Sequence, residues 1–154
     1  MPFDNPQGVI DGIHEAMSDD QGLIEVNAIN NTKKVIYSIV KTKKEPSGVD
    51  YCLTLHFKYD DKFYNVTGFF TDSGRTGAKE TVVYEGLRRE GIVKNDFEGW
   101  TYDPYKPENK KGFLMNLSEK ESFDEHFPNH PIAETRKFVK ELLWQLKKGS
   151  IKEI

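Results

Sequence analysis

Few residues in this 154-residue chain have the types and spacing that chemistry requires. In the segment Asp124, Glu125, His126, Phe127, Pro128, Asn129, His130, two imidazoles lie four residues apart beside two carboxylates. Such groups hold Zn²⁺ or a similar cation when they converge. Pro128 and Pro131 oppose a helical i, i+4 face, so the competing reading makes His130 a helix cap and His126 a surface residue. A second candidate is Gly74, Arg75, Thr76 and Gly77, where backbone amides, a hydroxyl and a guanidinium precede a helix, and a helix N-terminus favours anions. The spelling is neither a Walker loop nor a dinucleotide fingerprint. A plain turn with Thr76 as N-cap is the preferred account.

Phe97, Trp100, Tyr102 and Tyr105 form a third group, able to stack on a sugar, a base or a peptide. Asp103, Pro104 and Pro107 stiffen their loop and lower the entropy lost on binding. The competing reading folds these rings back over a sheet edge. No nucleophile elbow or Cys/His signature is present. Cys52 and His56 share a strand face but stand roughly 13 Å apart along it, too far for a hydrogen bond. No catalytic residue and no cofactor are therefore expected.

These groups need elements to hold them, and the stretch Tyr51–Val93 supplies most of the pattern. Tyr51, Leu53, Leu55 and Phe57 alternate with Cys52, Thr54, His56 and Lys58, the period of a half-buried strand. Asp60 and Asp61 suit a two-residue turn. Pairing Tyr59 with Lys62 sets Phe57 against Tyr64, Leu55 against Val66, Leu53 against Gly68 and Tyr51 against Phe70, and a one-residue slip destroys every match. The other face carries His56 with Asn65, Thr54 with Thr67 and Cys52 with Phe69. Being mixed, it is either partly wet or covered by a helix.

Earlier in the chain, Met1–Pro6 reads as a flexible arm, and Val9, Ile10, Ile13, Ala16 and Met17 mark an amphipathic helix over Gln7–Met17. Strands follow at Leu23–Ile29 and Lys34–Lys41, joined by Asn30, Asn31 and Thr32. One register sets Val26 against Val35; the other sets Ala28 against Val35 and Ile24 against Ile39, and is preferred for its three apolar pairs. A helix is expected over Ala78–Glu90, buried through Ala78, Val82, Val83 and Leu87, with Gly91 as its C′ residue. Ile92–Asn109 is an irregular aromatic loop. Gly112–Leu117 reads as a short strand in or beside the hairpin sheet, and Ser118 with Glu121 spells a capping box. A last helix starts at His130 and Pro131 and carries Ile132, Thr135, Phe138, Val139, Leu142, Leu143 and Leu146 onto the sheet, ending at Gly149.

This length suits one domain, taken as residues 1–154. Apolar residues are 36% and aromatics 12% of the chain, which supports a ring-rich core. Charged residues make up 31% but nearly cancel, with net charge −3 and pI about 5.8; a general nucleic-acid or anionic-membrane binder needs clustered cations instead. The single Cys52 excludes an internal disulfide and a Cys-based zinc site, and in its strand reads as a small hydrophobe. No signal-peptide pattern or membrane-length apolar run is visible. The expectation is a cytoplasmic protein, with prior removal of an export signal as the alternative.

The sequence resembles the PsbP-like fold family in layout. The aromatic hairpin ending Gly68, Phe69, Phe70, the Gly74–Gly77 turn into a helix, and a late strand before a long terminal helix carry the likeness, which spans Ile24 to Leu146. The resemblance implies an α+β fold with helices on both faces of an antiparallel sheet, and a binding or assembly role. It brings no family active site to any position here. The first functional expectation is accordingly a non-catalytic module that binds a protein partner through the sheet edge, the Phe97–Tyr105 loop or both. The second is a small-anion or metal-dependent enzyme built on the Gly74–Gly77 turn and His126/His130; an inhibitor or immunity-type protein is a third.

Overall fold

Tyr59 and Lys62 pair across Asp60 and Asp61, both of which take the left-handed conformation, with φ of 50° and 59°. This turn closes strands β3 (Val49–Tyr59) and β4 (Lys62–Asp72), in the register that the apolar alternation predicts, from Phe57 opposite Tyr64 to Tyr51 opposite Phe70. The computed structural model describes residues 4–30, 34–45, 48–72, 77–94 and 97–148. Helix α1 (Pro6–Ala16), strand β1 (Gln21–Asn30) and strand β2 (Lys34–Lys43) precede the hairpin, and the sheet runs in the order β1-β2-β3-β4, antiparallel throughout. Helix α2 (Gly77–Arg89) follows, then a two-stranded ribbon of β5 (Thr101–Tyr102) and β6 (Met115–Asn116), and helix α3 (Pro131–Lys148). This is the expected α+β layout.

Helix α3 covers one face of the sheet. Ile132, Val139 and Leu146 pack there on Val35, Tyr37, Ile39, Tyr51, Leu53, Leu55 and Phe57. Leu142 and Leu143 are half-buried against the same core, whereas Phe138 at the stripe's margin is exposed. Helix α1 lies over the opposite face, where Val9 and Ile13 close on Ile36, Val40, Thr54 and His56 around a cleft of about 210 Å³. That face is thus both covered and wet: α1 shelters its β2 side, while Phe63 and Phe69 of β4 stay exposed. His56 does pair with Asn65 across the strands.

Several expectations need correction. Asn5 and Pro6 are not part of a loose arm: the Asn5 side chain accepts from the Gly8 N–H, and proline suits the first helical position. The β1–β2 register matches neither alternative, since Ile29 lies opposite Val35, Ala28 opposite Ile36 and Glu25 opposite Ile39, with a bulge between Leu23 and Glu25. The α3-side face of β1 therefore carries Glu25, whose carboxylate is bonded by Tyr37 and Arg136. That part-buried carboxylate finds its partners in this register, and the bulge still lets Leu23 and Ile24 both become buried.

Gly112–Leu117 does not join the hairpin sheet; only Met115–Asn116 is strand, paired with Thr101–Tyr102. The segment instead runs along β1, with the Phe113 N–H donating to the Gln21 carbonyl. Gly22 permits that approach, because a Cβ there would sit 1.9 Å from the Phe113 carbonyl oxygen. The capping box is two residues upstream of its predicted place, at Asn116 and Glu119. In α2, Val83 is buried while Val82 is exposed. Gly91 ends the helix with φ of 76°, and the Ile92 N–H closes back on the Leu87 carbonyl. Asn31, Thr32 and Gly149 lie outside the described residues.

Candidate functional site

The structure divides the four rings of the aromatic loop. Trp100 is buried with Val83 and Val93 in a small second core under α2, edge-on to Tyr84 at 5.3 Å. Tyr105 turns inward as well: its hydroxyl accepts from the Val26 N–H at 2.6 Å and donates to the Val26 carbonyl at 3.0 Å. One phenol thereby satisfies both backbone groups of Val26 on the β1 edge. Tyr102 is half-buried, and burial pushes its phenol up, as it does that of Tyr105. Phe97 alone is well exposed, lying 4.6 Å from Tyr84 with φ of 63°. These rings do not make one exposed platform.

Asp103, which stiffens this loop, is fully buried. Its carboxylate accepts from the Tyr105 and Lys106 N–H groups, from Asn109 and, at 2.7 Å, from the His14 ring. Burial raises the Asp103 pKa, but the bonds from Asn109, Tyr105 and His14 outweigh it and leave the carboxyl below its ordinary value. The His14 contact ties α1 to a loop 89 residues away in sequence. Spacing alone offered no sign of it.

The two histidines of the proposed metal set point into different environments. His126 is exposed beside Glu125, whereas His130 is buried, edge-on to Tyr51 at 5.8 Å, and its Nδ1 accepts from the Ile132 N–H as a helix cap. Among the described residues, no group of three or more His, Cys, Asp or Glu is placed to share a cation. Gly74, Arg75 and Thr76 lie outside the described residues, and Gly77 is the first residue of α2. The Cys52 thiol is half-buried and pushed up by burial, which disfavours the thiolate needed by a nucleophile.

Sequence patterning missed a buried polar seam between the sheet core and the second core. Lys41 donates to Glu119 Oε1 at 2.8 Å, Tyr51 donates to Oε2 at 2.6 Å, and the Asn116 N–H also reaches Oε1. Arg136, on α3, donates through Nε to Glu25 at 2.9 Å, through Nη1 to Asp124 at 3.0 Å and through Nη2 to the Glu119 carbonyl at 2.6 Å. Burial alone would lower the Arg136 pKa, yet Glu25 and Asp124 raise it; at Asp124, burial outweighs Arg136 and the carboxyl rises. The Tyr37 hydroxyl, bonded to Glu25, is raised by burial and by that carboxylate. With their lone pairs and protons engaged, these groups hold the 116–124 segment against the sheet. Two buried atoms differ: Lys79 Nζ and His130 Nε2 have no hydrogen-bond partner among the described residues.

At the end of the seam, an open groove of about 560 Å³ runs along α3, lined by Asp124, Pro128, Arg136, Lys137, Lys140 and Trp144. Its charges are mixed in sign. No helix among the described residues is long and apolar enough to cross a membrane. No protein-family model matches the chain, and neither a curated protein nor a solved structure is detectably similar to it.

Proposed function

We propose that this chain is a non-catalytic protein-binding module that takes an extended segment of its partner along strand β4. The observation that carries this reading is the contrast between the sheet's two margins. The β1 margin is partly covered, by Tyr105 at Val26 and by the Phe113–Gln21 bond. The β4 margin is an 11-residue strand at the other end of the sheet order. Phe63 and Phe69 stand on its open face, 52% and 69% exposed. A strand at the margin of a sheet can take on another extended backbone, and alternate side chains supply the specificity. The single cysteine fits a reducing compartment such as the cytoplasm, and a PsbP-like affiliation belongs to the same proposal, supported by the helices on both faces of the sheet.

The test selects displayed peptides on the protein and follows amide exchange along β4 with the selected peptide bound. The reading expects peptides of alternating apolar residues, slowed exchange within Lys62–Asp72, and loss of binding in Phe69→Lys. Peptides that bind without protecting β4, or equally to Phe69→Lys, would overturn it. A concentration-dependent homodimer with the same protection would keep the surface and make its occupant a second copy.

A further inference from the structure

We infer that the extended segment taken by β4 is β4 of a second copy of this chain, the two strands running antiparallel about a two-fold axis at Thr67 and joining two sheets into one. The inference rests on the reading above and names its partner. Strand β4 lacks the devices that keep a sheet margin single: between Lys62 and Asp72 it carries no charged residue and no proline. Large apolar side chains flank it on both faces. Phe63 and Phe69 are exposed on the open face; on the α3 face Phe138 is 40% exposed, its ring 6.0 Å from that of Phe70. These three rings expose on the order of 300 Å² in each copy. Two copies bring twice that before either backbone is counted, toward the roughly 1,000 Å² that a specific interface clears.

The pattern of the strand identifies the occupant, because β4 is complementary to itself. Pairing centred on Thr67 overlaps the whole of Lys62–Asp72 and sets Lys62 against Asp72 of the second copy, Tyr64 against Phe70, Val66 against Gly68 and Thr67 against Thr67. Each end thus pairs a basic with an acidic residue, and aromatic meets aromatic; cross-strand pairs of these kinds stabilise a sheet. Residues directly opposed in an antiparallel pair point to the same face, so the two α3 faces continue on one side. There Tyr64 of the second copy meets Phe70 beside Phe138. On the open face Phe69 lies diagonal to Phe63 of the second copy, within reach of an aromatic ring. Moving the axis to Val66 or to Gly68 breaks the end pairs, since Asp72 then meets Asp60 or Tyr64. A surface that matches itself across a two-fold axis closes as a dimer.

Sedimentation velocity on the whole chain from low to high protein concentration, with amide exchange at both ends of the range, reads the pairing. The expected result is a concentration-dependent dimer in which exchange slows within Lys62–Asp72 and not along β1. Thr67 is exposed, so a charged residue there leaves the monomer intact, whereas in the dimer it faces its own copy. Thr67→Lys and Thr67→Glu should each weaken dimerisation about tenfold, because like charges stand opposed, and an equimolar mixture of the two should restore it. A monomer at every concentration, with selected peptides still protecting β4, would overturn the inference and leave the reading it rests on. A dimer protected elsewhere, or a mixture no better than either variant alone, would overturn it too. If neither peptides nor a second copy protect β4, both fall. Should a variant fail to fold, the wild-type exchange series still decides.

Discussion

Lys41–Glu119 and Lys140–Glu121 are lysine–glutamate pairs with the same nitrogen–oxygen separation, 2.8 Å. In the first pair both side chains are 2% exposed; in the second the lysine is 67% and the glutamate 57% exposed. Water competes for every bond of the outer pair and for almost none of the inner one. Distance therefore says little about what either contributes. The inner pair is also part of a closed set, since Tyr51 and the Asn116 N–H bond the same carboxylate. Removing one member there strands the rest, whereas at the surface solvent replaces whatever is lost.

The largest effect should come from Glu119→Ala. It leaves the Lys41 ammonium buried with its carboxylate gone, and costs about 3–5 kcal/mol of stability, the range for breaking a buried pair. Urea unfolding followed by circular dichroism measures it. The double variant Lys41→Met/Glu119→Leu should recover most of that loss, because the desolvated charge disappears with its partner. Equal losses in the single and double variants would mean that packing, rather than charge, sets the cost.

A second test lies at the edge of the same seam. Burial holds His130 near pKa 4, against 6.5 in an unfolded chain. A lowered histidine pKa means that the folded state resists the proton, so this contribution is complete above 6.5 and is lost as pH falls toward 4. Between about pH 7.5 and about pH 5 the loss should be about 2 kcal/mol. Asp124, raised by burial, works in the opposite sense, and Lys79, Glu119 and Arg136 also act on the ring. His130→Gln isolates the imidazole's share: unfolding curves at the two pH values should draw together by that amount. Unchanged pH dependence would place the protonation elsewhere.

The same contrast explains what could be read without coordinates. Strands β3 and β4 were legible because each apolar residue has an apolar partner and the turn is local, so alternation and two aspartates suffice. Helix α3 was legible for a similar reason, with Pro131 at its start and a repeating stripe. The β1–β2 register was not, because in it Glu25 meets Arg136, 111 residues away. Periodicity treats a glutamate as solvent-facing and cannot announce a distant guanidinium. The capping box moved for a related reason: Glu119 reaches back to the Asn116 N–H, and the same carboxylate takes Lys41 and Tyr51. At the candidate site, His130 as a cap was readable from Pro131. Lys79 was not, since its burial depends on a second core assembled from α2 and the loop around Trp100.

The smallest effect belongs to the outer pair and completes the contrast. Glu121 is held below its ordinary pKa by the hydrogen bond from Lys140, against some opposition from burial, and Lys140 is raised by the same bond. Taken at face value these shifts suggest a strong pair. Both groups are more than half exposed, however, so screening and the entropy of two long side chains return most of that attraction to solvent. Lys140→Met should cost under about 1 kcal/mol, and the difference from wild type should shrink as salt is raised. Glu119→Ala should keep most of its cost in the same salt series, because ions do not reach a pair that water cannot. If the two variants responded alike to salt, the inner carboxylate would have to be solvated, and the seam would not hold the 116–124 segment in the way its bonds imply.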